Sequence, residues 1–304
     1  NIMKTILSHP NFEYLAENIA NDNKWKINKA DISMNTFPDS WPNIFINDVK
    51  NLVEHQEITY IWDFSKPEDL FINFAAIRWI IDYYANKVRV ILPYFPVWTM
   101  ERIETKWEVA TAKYFADIMS LLPQARSEKT SIHIFDIHAL VEKFLFDSRQ
   151  VNAEIHTAMS LLKNEIEWKT IVFPDDWAKK RFGRDFNNFD TIVCSKIRVW
   201  DERHIQIKEW DPAWKDLIII DDLIQTWWTI KETADKLREL WAKSVYAYAT
   251  HWVFPNNSHI ELAKKLDKLI VTDSIPENIL LAKDVINMQV ISIKPLIEKI
   301  IFRE

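Results

Sequence analysis

The sequence predicts an α/β protein of two domains, each a parallel sheet flanked by helices, and three observations carry that expectation. Short apolar, β-branched runs recur at 58–63, 88–92, 131–135, 169–173, 190–194, 217–220, 244–249 and 268–272, as in strands buried on both faces. Segments of helical spacing lie between them. Leu70, Phe74, Ile77 and Ile81 share a face in 70–84, Val109, Ala112, Phe115 and Met119 in 108–122, and Ile230, Ala234, Leu237 and Leu240 in 229–240. The strand count favours two sheets over one, so a division is expected near 150, after Asp147-Ser148-Arg149, giving domains 1–150 and 151–304.

Composition narrows the classes of function. Hydrophobic residues make up 48% and charged residues 27% of the 304, as in an ordinary globular protein. A net charge of -6 argues against a nucleic-acid partner. No apolar run approaches the roughly 20 residues of a membrane span, and no signal-peptide pattern opens the chain, so neither a membrane nor export is expected. Met3, after Asn1-Ile2, is the expected start. One cysteine, Cys194, excludes an intramolecular disulfide, reads as a buried small residue, and suits the cytosol.

Glycine is the exception. Average usage of about 7% predicts roughly 20 glycines; the chain has one, beside 15 tryptophans. Several tryptophans fall where chemistry asks for glycine. Leu217-Ile218-Ile219-Ile220 is an apolar strand ending in Asp221-Asp222, two carboxylates able to accept from vicinal hydroxyls such as those of a ribose. Thr226-Trp227-Trp228-Thr229 then leads into a helix, whose first N–H groups and threonine hydroxyls suit a phosphate. Trp241 sits at the C′ position of that helix, and Trp177 and Trp214 sit in turns.

With glycine in place of Trp227 and Trp228, 221–229 resembles the phosphate loop of type I phosphoribosyltransferases. The flanking text resembles ribose-phosphate pyrophosphokinases along nearly the whole chain: Phe135-Asp136-Ile137-His138-Ala139, the run Val245–Phe254, and Val271-Thr272-Asp273-Ser274-Ile275-Pro276. Phe95–Arg102, Glu108–Ala112 and Phe173–Ala178 look like the plant-type, phosphate-independent subgroup. The resemblance implies two type I phosphoribosyltransferase-like domains and glycine at the positions of Trp98, Trp107, Trp177, Trp200, Trp210, Trp214, Trp227, Trp228, Trp241 and Trp252. A gene that uses UGA for glycine, translated with UGA as tryptophan, produces that pattern.

The implied reaction passes diphosphate from ATP to ribose 5-phosphate. Asp221, Asp222, Gln225, Thr226 and Thr229, with the backbone at Trp227 and Trp228, would hold ribose 5-phosphate. Lys196 and Arg198 match the family's catalytic flap, although alone they read as a solvated strand end. His138 and Asp175 would bind Mg2+. Phe37, Asp39, Glu101 and Arg102 would bind ATP, with Thr99-Met100-Glu101 departing from the commoner text. A homo-oligomer, a hexamer of dimers, is implied. A non-catalytic homologue and a plain phosphoribosyltransferase are the alternatives.

Overall fold

The computed structural model describes residues 3–303, apart from 65, 101, 102, 104, 139, 164, 200, 201, 210, 225 and 226. It divides into two compact units, Asn1–His156 with Lys294–Glu304, and Thr157–Ile293.

The first unit holds strands β1 (Lys4–Ser8), β2 (Ile27–Lys29), β3 (Ile32–Thr36), β4 (Pro42–Ile46), β5 (Glu57–Ile61), β6 (Lys87–Leu92), β7 (Ser131–Phe135) and β8 (Asn152–His156). Six of these form a parallel sheet in the order β2-β1-β5-β6-β7-β8, and β3 and β4 make a separate antiparallel hairpin. The helix Asp69–Asp82 buries Asn73, Ala76, Ile77, Ile80 and Ile81, a face rotated from the one the apolar spacing picks out. Asn73 is the one polar residue on that face. Its amide accepts from Tyr60 Oη (2.8 Å) and donates to the carbonyls of Asp63 (3.2 Å) and Asp69 (2.7 Å), so a polar side chain is buried with its bonds made. The terminal helix Lys294–Phe302 belongs to this unit through side chains of the first helix region: Asn23 Nδ2 donates to Glu298 at 2.8 Å, Lys294 pairs with Asp22, and Lys26 lies over the Phe302 ring.

The second unit contains β9 (Thr170–Phe173), β10 (Thr191–Val199), β11 (Glu202–Glu209), β12 (Asp216–Ile224), β13 (Ser244–Trp252), β14 (Lys268–Thr272) and β15 (Met288–Ile291). They form one sheet in the order β11-β10-β9-β12-β13-β14-β15, parallel except for the β10–β11 hairpin. The helix Trp228–Glu239 buries Ile230, Thr233, Ala234 and Leu237 against it, while Leu240 caps the end instead of extending the face. Among the described residues no helix is long and apolar enough to cross a membrane.

The backbone bears on the glycine deficit. Trp107, Trp214 and Trp241 have φ of 74°, 62° and 65°, the left-handed region that disfavours bulky side chains. All three indoles are exposed, so no packing compensates. Trp241 closes a Schellman motif, its N–H bonding the Arg238 carbonyl (3.0 Å) while Ala242 N–H bonds that of Leu237 (3.1 Å). Trp214 is third in the turn closed by Lys215 N–H to Pro212 C=O (3.3 Å), and its own N–H bonds the Trp241 carbonyl at 2.9 Å. The one glycine, Gly183, has φ of -54°, and a Cβ there would meet Lys179 Cγ at an ordinary 3.7 Å.

The substitutions Trp214→Gly and Trp241→Gly should therefore each stabilise the protein by about 1 kcal/mol, the left-handed cost of about 1–2 kcal/mol less the added freedom of the unfolded chain. Urea midpoints measure this, with Gly183→Ala as a control that should not lower stability.

Candidate active site

The middle strand of the second sheet positions the acidic centre. Leu217, Ile218, Ile219 and Ile220 are fully buried, and Leu217–Ile219 pair with Thr170–Val172 of β9. On the other side β12 stays paired with β13 as far as Ile224 and Trp252. Asp221 and Asp222 thus lie within the strand, which continues past the apolar run that ends at 220. Asp222 is buried, and its Oδ1 accepts from Leu223 N–H at 2.7 Å, while Asp221 Oδ1 accepts from Asp222 N–H at 2.9 Å. Burial, then the nearby carboxylates of Asp222 and Asp175, hold the Asp221 carboxyl well above the usual range. Such a site suits hydroxyl donors or a hard cation, which would relieve the accumulated negative charge.

Asp175 follows β9 and caps the helix Asp176–Phe182, its Oδ1 accepting from the N–H groups of Trp177 (3.1 Å) and Ala178 (3.0 Å). Cys194, on the adjacent β10, is fully buried, and its thiol is pushed up to about 12 by burial and by Asp175, which leaves it inert. Two and four residues further along β10, the backbone of Lys196 and Arg198 pairs with Ile205 and Arg203 of β11. Alternate positions share one face of a strand. The side chains of Lys196 and Arg198 lie outside what the structure describes.

Gln225 and Thr226 also lie outside the described residues. Trp227 has helical φ and ψ and gives the helix Trp228–Glu239 no side-chain cap. Its ring stacks on Trp228, 4.5 Å between centroids at 23°, and Lys231 Nζ lies 5.7 Å and 5.0 Å from the two rings. The two indoles therefore occupy the start of the helix as a self-stacked pair. Thr229 gives its carbonyl to Thr233 Oγ1 at 2.7 Å.

Behind this end of the sheet is a buried polar lattice that the motifs alone assign no role. The Thr250 carbonyl accepts from Thr272 Oγ1 (2.7 Å) and Ser274 Oγ (2.9 Å), and His251 Nδ1 meets Ser274 Oγ at 2.8 Å. Asp273 accepts from Ile293 N–H and Ser292 Oγ, each at 2.7 Å. The signal in the sequence is a polar cluster at the end of two apolar strands. Trp252, at the end of β13, is buried with Nε1 unpartnered, a placement that costs about 1–3 kcal/mol.

In the first unit, Phe37 and Asp39 occupy the tip of the β3–β4 hairpin. Phe37 is half exposed, its N–H bonds the Trp41 carbonyl (2.8 Å), and Asp39 Oδ1 accepts from Trp41 N–H (3.2 Å). His138 lies just beyond β7, half-buried. Glu101 and Arg102 lie outside the described residues. Neither His138 nor Asp175 belongs to the groups of three ligand atoms that the described residues bring within 4.8 Å, which are His133–Glu154–His156 and His9–Asp63–Asp69.

The profile described as Phosphoribosyl synthetase-associated domain matches residues 210–303. The chain is 35% identical over 267 residues to Ribose-phosphate pyrophosphokinase 4 of Oryza sativa subsp. japonica, covering 83% of this chain and 82% of that one. Ribose-phosphate pyrophosphokinase 4 of Arabidopsis thaliana is 35% identical over 280 residues, covering 88% and 82%. Ribose-phosphate pyrophosphokinase 3, mitochondrial, of Spinacia oleracea is 34% identical over 298 residues, covering 93% and 73%. Among solved structures, phosphoribosylpyrophosphate synthetase from Mycobacterium smegmatis superposes with a TM-score of 0.79 over 99% of this chain and 97% of that one, and at 22% identity it speaks to the fold.

Because the Asp221 carboxyl is raised in the fold, its ionisation opposes folding. Below the ordinary carboxylate range both states keep the proton, and stability is lost as pH rises from that range through the folded value. Asp221→Asn removes this loss. The variant should unfold at higher urea than the parent at about pH 7 and show no such advantage near about pH 3. Lower stability at neutral pH would show that the carboxylate is held by favourable bonds instead.

Proposed function

The chain belongs to the ribose-phosphate pyrophosphokinase family, and we propose that it transfers the β,γ-diphosphoryl group of ATP to the C1 hydroxyl of ribose 5-phosphate. The observation that carries this reading at the site is the Asp221–Asp222 pair near the carboxyl end of the middle strand, which ends at Ile224 ahead of the helix that begins at Trp228. The C1 oxygen attacks the β-phosphorus, the bond from that phosphorus to the oxygen shared with the α-phosphate breaks, and AMP leaves with phosphoribosyl diphosphate as the other product.

Each residue's role follows from its position. Asp221 and Asp222 accept from the ribose hydroxyls, and the backbone at 227 and 228, with Gln225, Thr226 and Thr229, receives the 5-phosphate. Lys196 and Arg198, on one face of β10, neutralise charge that develops on the transferring group. Phe37 and Asp39 on the hairpin, with Glu101 and Arg102, bind ATP. When bound, Mg2+ would supply charge neutralisation for the transferring diphosphoryl group. Of the residues that the family resemblance implies for it, Asp175 would offer a carboxylate oxygen within the second unit and His138 an imidazole nitrogen within the first. The crowding of carboxylates that raises Asp221 is consistent with a bound cation. Exposed Phe37, Trp41 and Phe45 on the hairpin support a homo-oligomer, and we retain the cytosol as its compartment, although the spinach relative is named mitochondrial.

Native polypeptide, on this reading, carries glycine at 107, 214 and 241, where φ is left-handed, and at 227 and 228, where an anion needs bare backbone. The codons at these positions and the intact mass of natively expressed protein test it, since each glycine lowers the mass by one fixed step. A mass that matches tryptophan throughout refutes it.

The activity test is AMP release from ATP, Mg2+ and ribose 5-phosphate. Protein with glycine at 227 and 228 should form AMP, and Lys196→Ala or Arg198→Ala in that background should lower kcat by about 100- to 1000-fold. Absence of AMP from the folded, glycine-containing protein rejects the proposed reaction.

A further inference from the structure

One face of the six-stranded sheet carries polar side chains where a parallel sheet covered on both sides is normally apolar. Across the ladder Arg89 pairs with Ser131, Ser131 with Asn152, His133 with Glu154, and Phe135 with His156. Alternation places these side chains on a common face. Arg89, His133 and Glu154 border an open cavity of about 560 Å³ at the edge of the terminal helix, which contributes Ile300, and Arg303 just past its end also lines it.

Ser131 Oγ lies 3.4 Å from the Val88 carbonyl and 3.0 Å from His133 Nε2. In the tautomer that donates from Nε2 to Ser131, His133 Nδ1 keeps a lone pair, and this nitrogen lies 2.9 Å from His156 Nε2 and 4.0 Å from Glu154 Oε2. Two nitrogens each about 2.0–2.1 Å from an ion lie about 2.9 Å apart at a right angle and about 3.4 Å apart in a tetrahedron. The observed separation matches the right angle.

We propose that His133, His156 and Glu154 form a binding site for a first-row divalent transition ion of tetragonal or octahedral preference, separate from the phosphoryl-transfer chemistry. Two imidazoles and one carboxylate suit first-row ions such as iron(II), nickel or copper, and magnesium prefers an all-oxygen shell. Two of the surrounding cations have carboxylate partners, Lys87 with Glu128 at 2.5 Å and Arg89 with Glu57 at 3.0 Å, while Lys129 donates to the neutral Ser148 carbonyl at 2.8 Å and keeps its charge. Arg303 donates to Glu154 Oε2 at 3.0 Å and Asn152 to Oε1 at 3.2 Å, which orients the carboxylate and leaves each oxygen a second lone pair. The competing arrangement is a plain imidazole–imidazole hydrogen bond, with His156 Nε2–H as donor and no ion.

Calorimetric titration of the chelator-treated full chain with Ni2+, without nucleotide, distinguishes the two. The parent should bind one equivalent that His156→Gln binds at least tenfold more weakly. Ni2+ should also raise the thermal midpoint of the parent and leave that of His156→Gln, shown by circular dichroism to be folded, unmoved. Equal Ni2+ binding by parent and variant, or none by either, overturns the site and leaves a hydrogen-bonded histidine pair.

Discussion

The placement of β12 at the middle of its sheet is the constraint from which the acidic centre follows. Four consecutive apolar side chains are buried on both faces, and strands on both sides hold the backbone. Sliding this strand toward its start would draw Asp221 into the apolar core, so the change from apolar to acidic after Ile220 limits its register. Asp221 and Asp222 are covalently carried beyond that anchored segment, into an environment that would otherwise reject a pair of carboxylates. The raised Asp221 carboxyl is the electrostatic consequence, and stability is given up there for a site that hydroxyls and a cation can complete.

A second constraint is conformational and spreads over both units. Loops that reverse sharply need left-handed residues, and three of these positions hold tryptophan. Their indoles gain nothing from exposure, whereas the only glycine occupies an ordinary helical conformation that alanine shares. The backbone thus follows a glycine pattern that the side chains contradict. At 227 and 228 the conflict differs in kind. Trp227 has helical φ and ψ and Trp228 begins the helix, so no left-handed backbone calls for glycine there.

Much of the fold was legible because apolar runs and helical spacing report burial directly. The strands expected at 131–135 and 268–272 appear with the same limits, as Ser131–Phe135 and Lys268–Thr272. Patterns that mix polar and apolar residues were harder to read. Glu202–Glu209 is a charged edge strand, and β8 carries Asn152, Glu154 and His156 on one face. The end of β12 was hidden because two aspartates look like a loop unless pairing with β13 is known. The helix face of Asp69–Asp82 was misplaced because apolar residues lie nearly all round this helix. Spacing alone does not choose Ala76 and Ile80 over Leu70 and Phe74, and Asn73 is buried on the observed face with partners at Tyr60, Asp63 and Asp69.

By itself the sequence determined the α/β class, the apolar strands, the acidic pair ahead of a helix and the shortage of glycine, because these are properties of residue order and type. Tertiary structure decided which carboxylates crowd one another, that Asp175 caps a helix, and that His133 faces His156 across neighbouring strands. It also separated the tryptophans in left-handed turns from those that merely fill space. Burial and strand pairing are set by contacts between distant segments, and no local pattern specifies them.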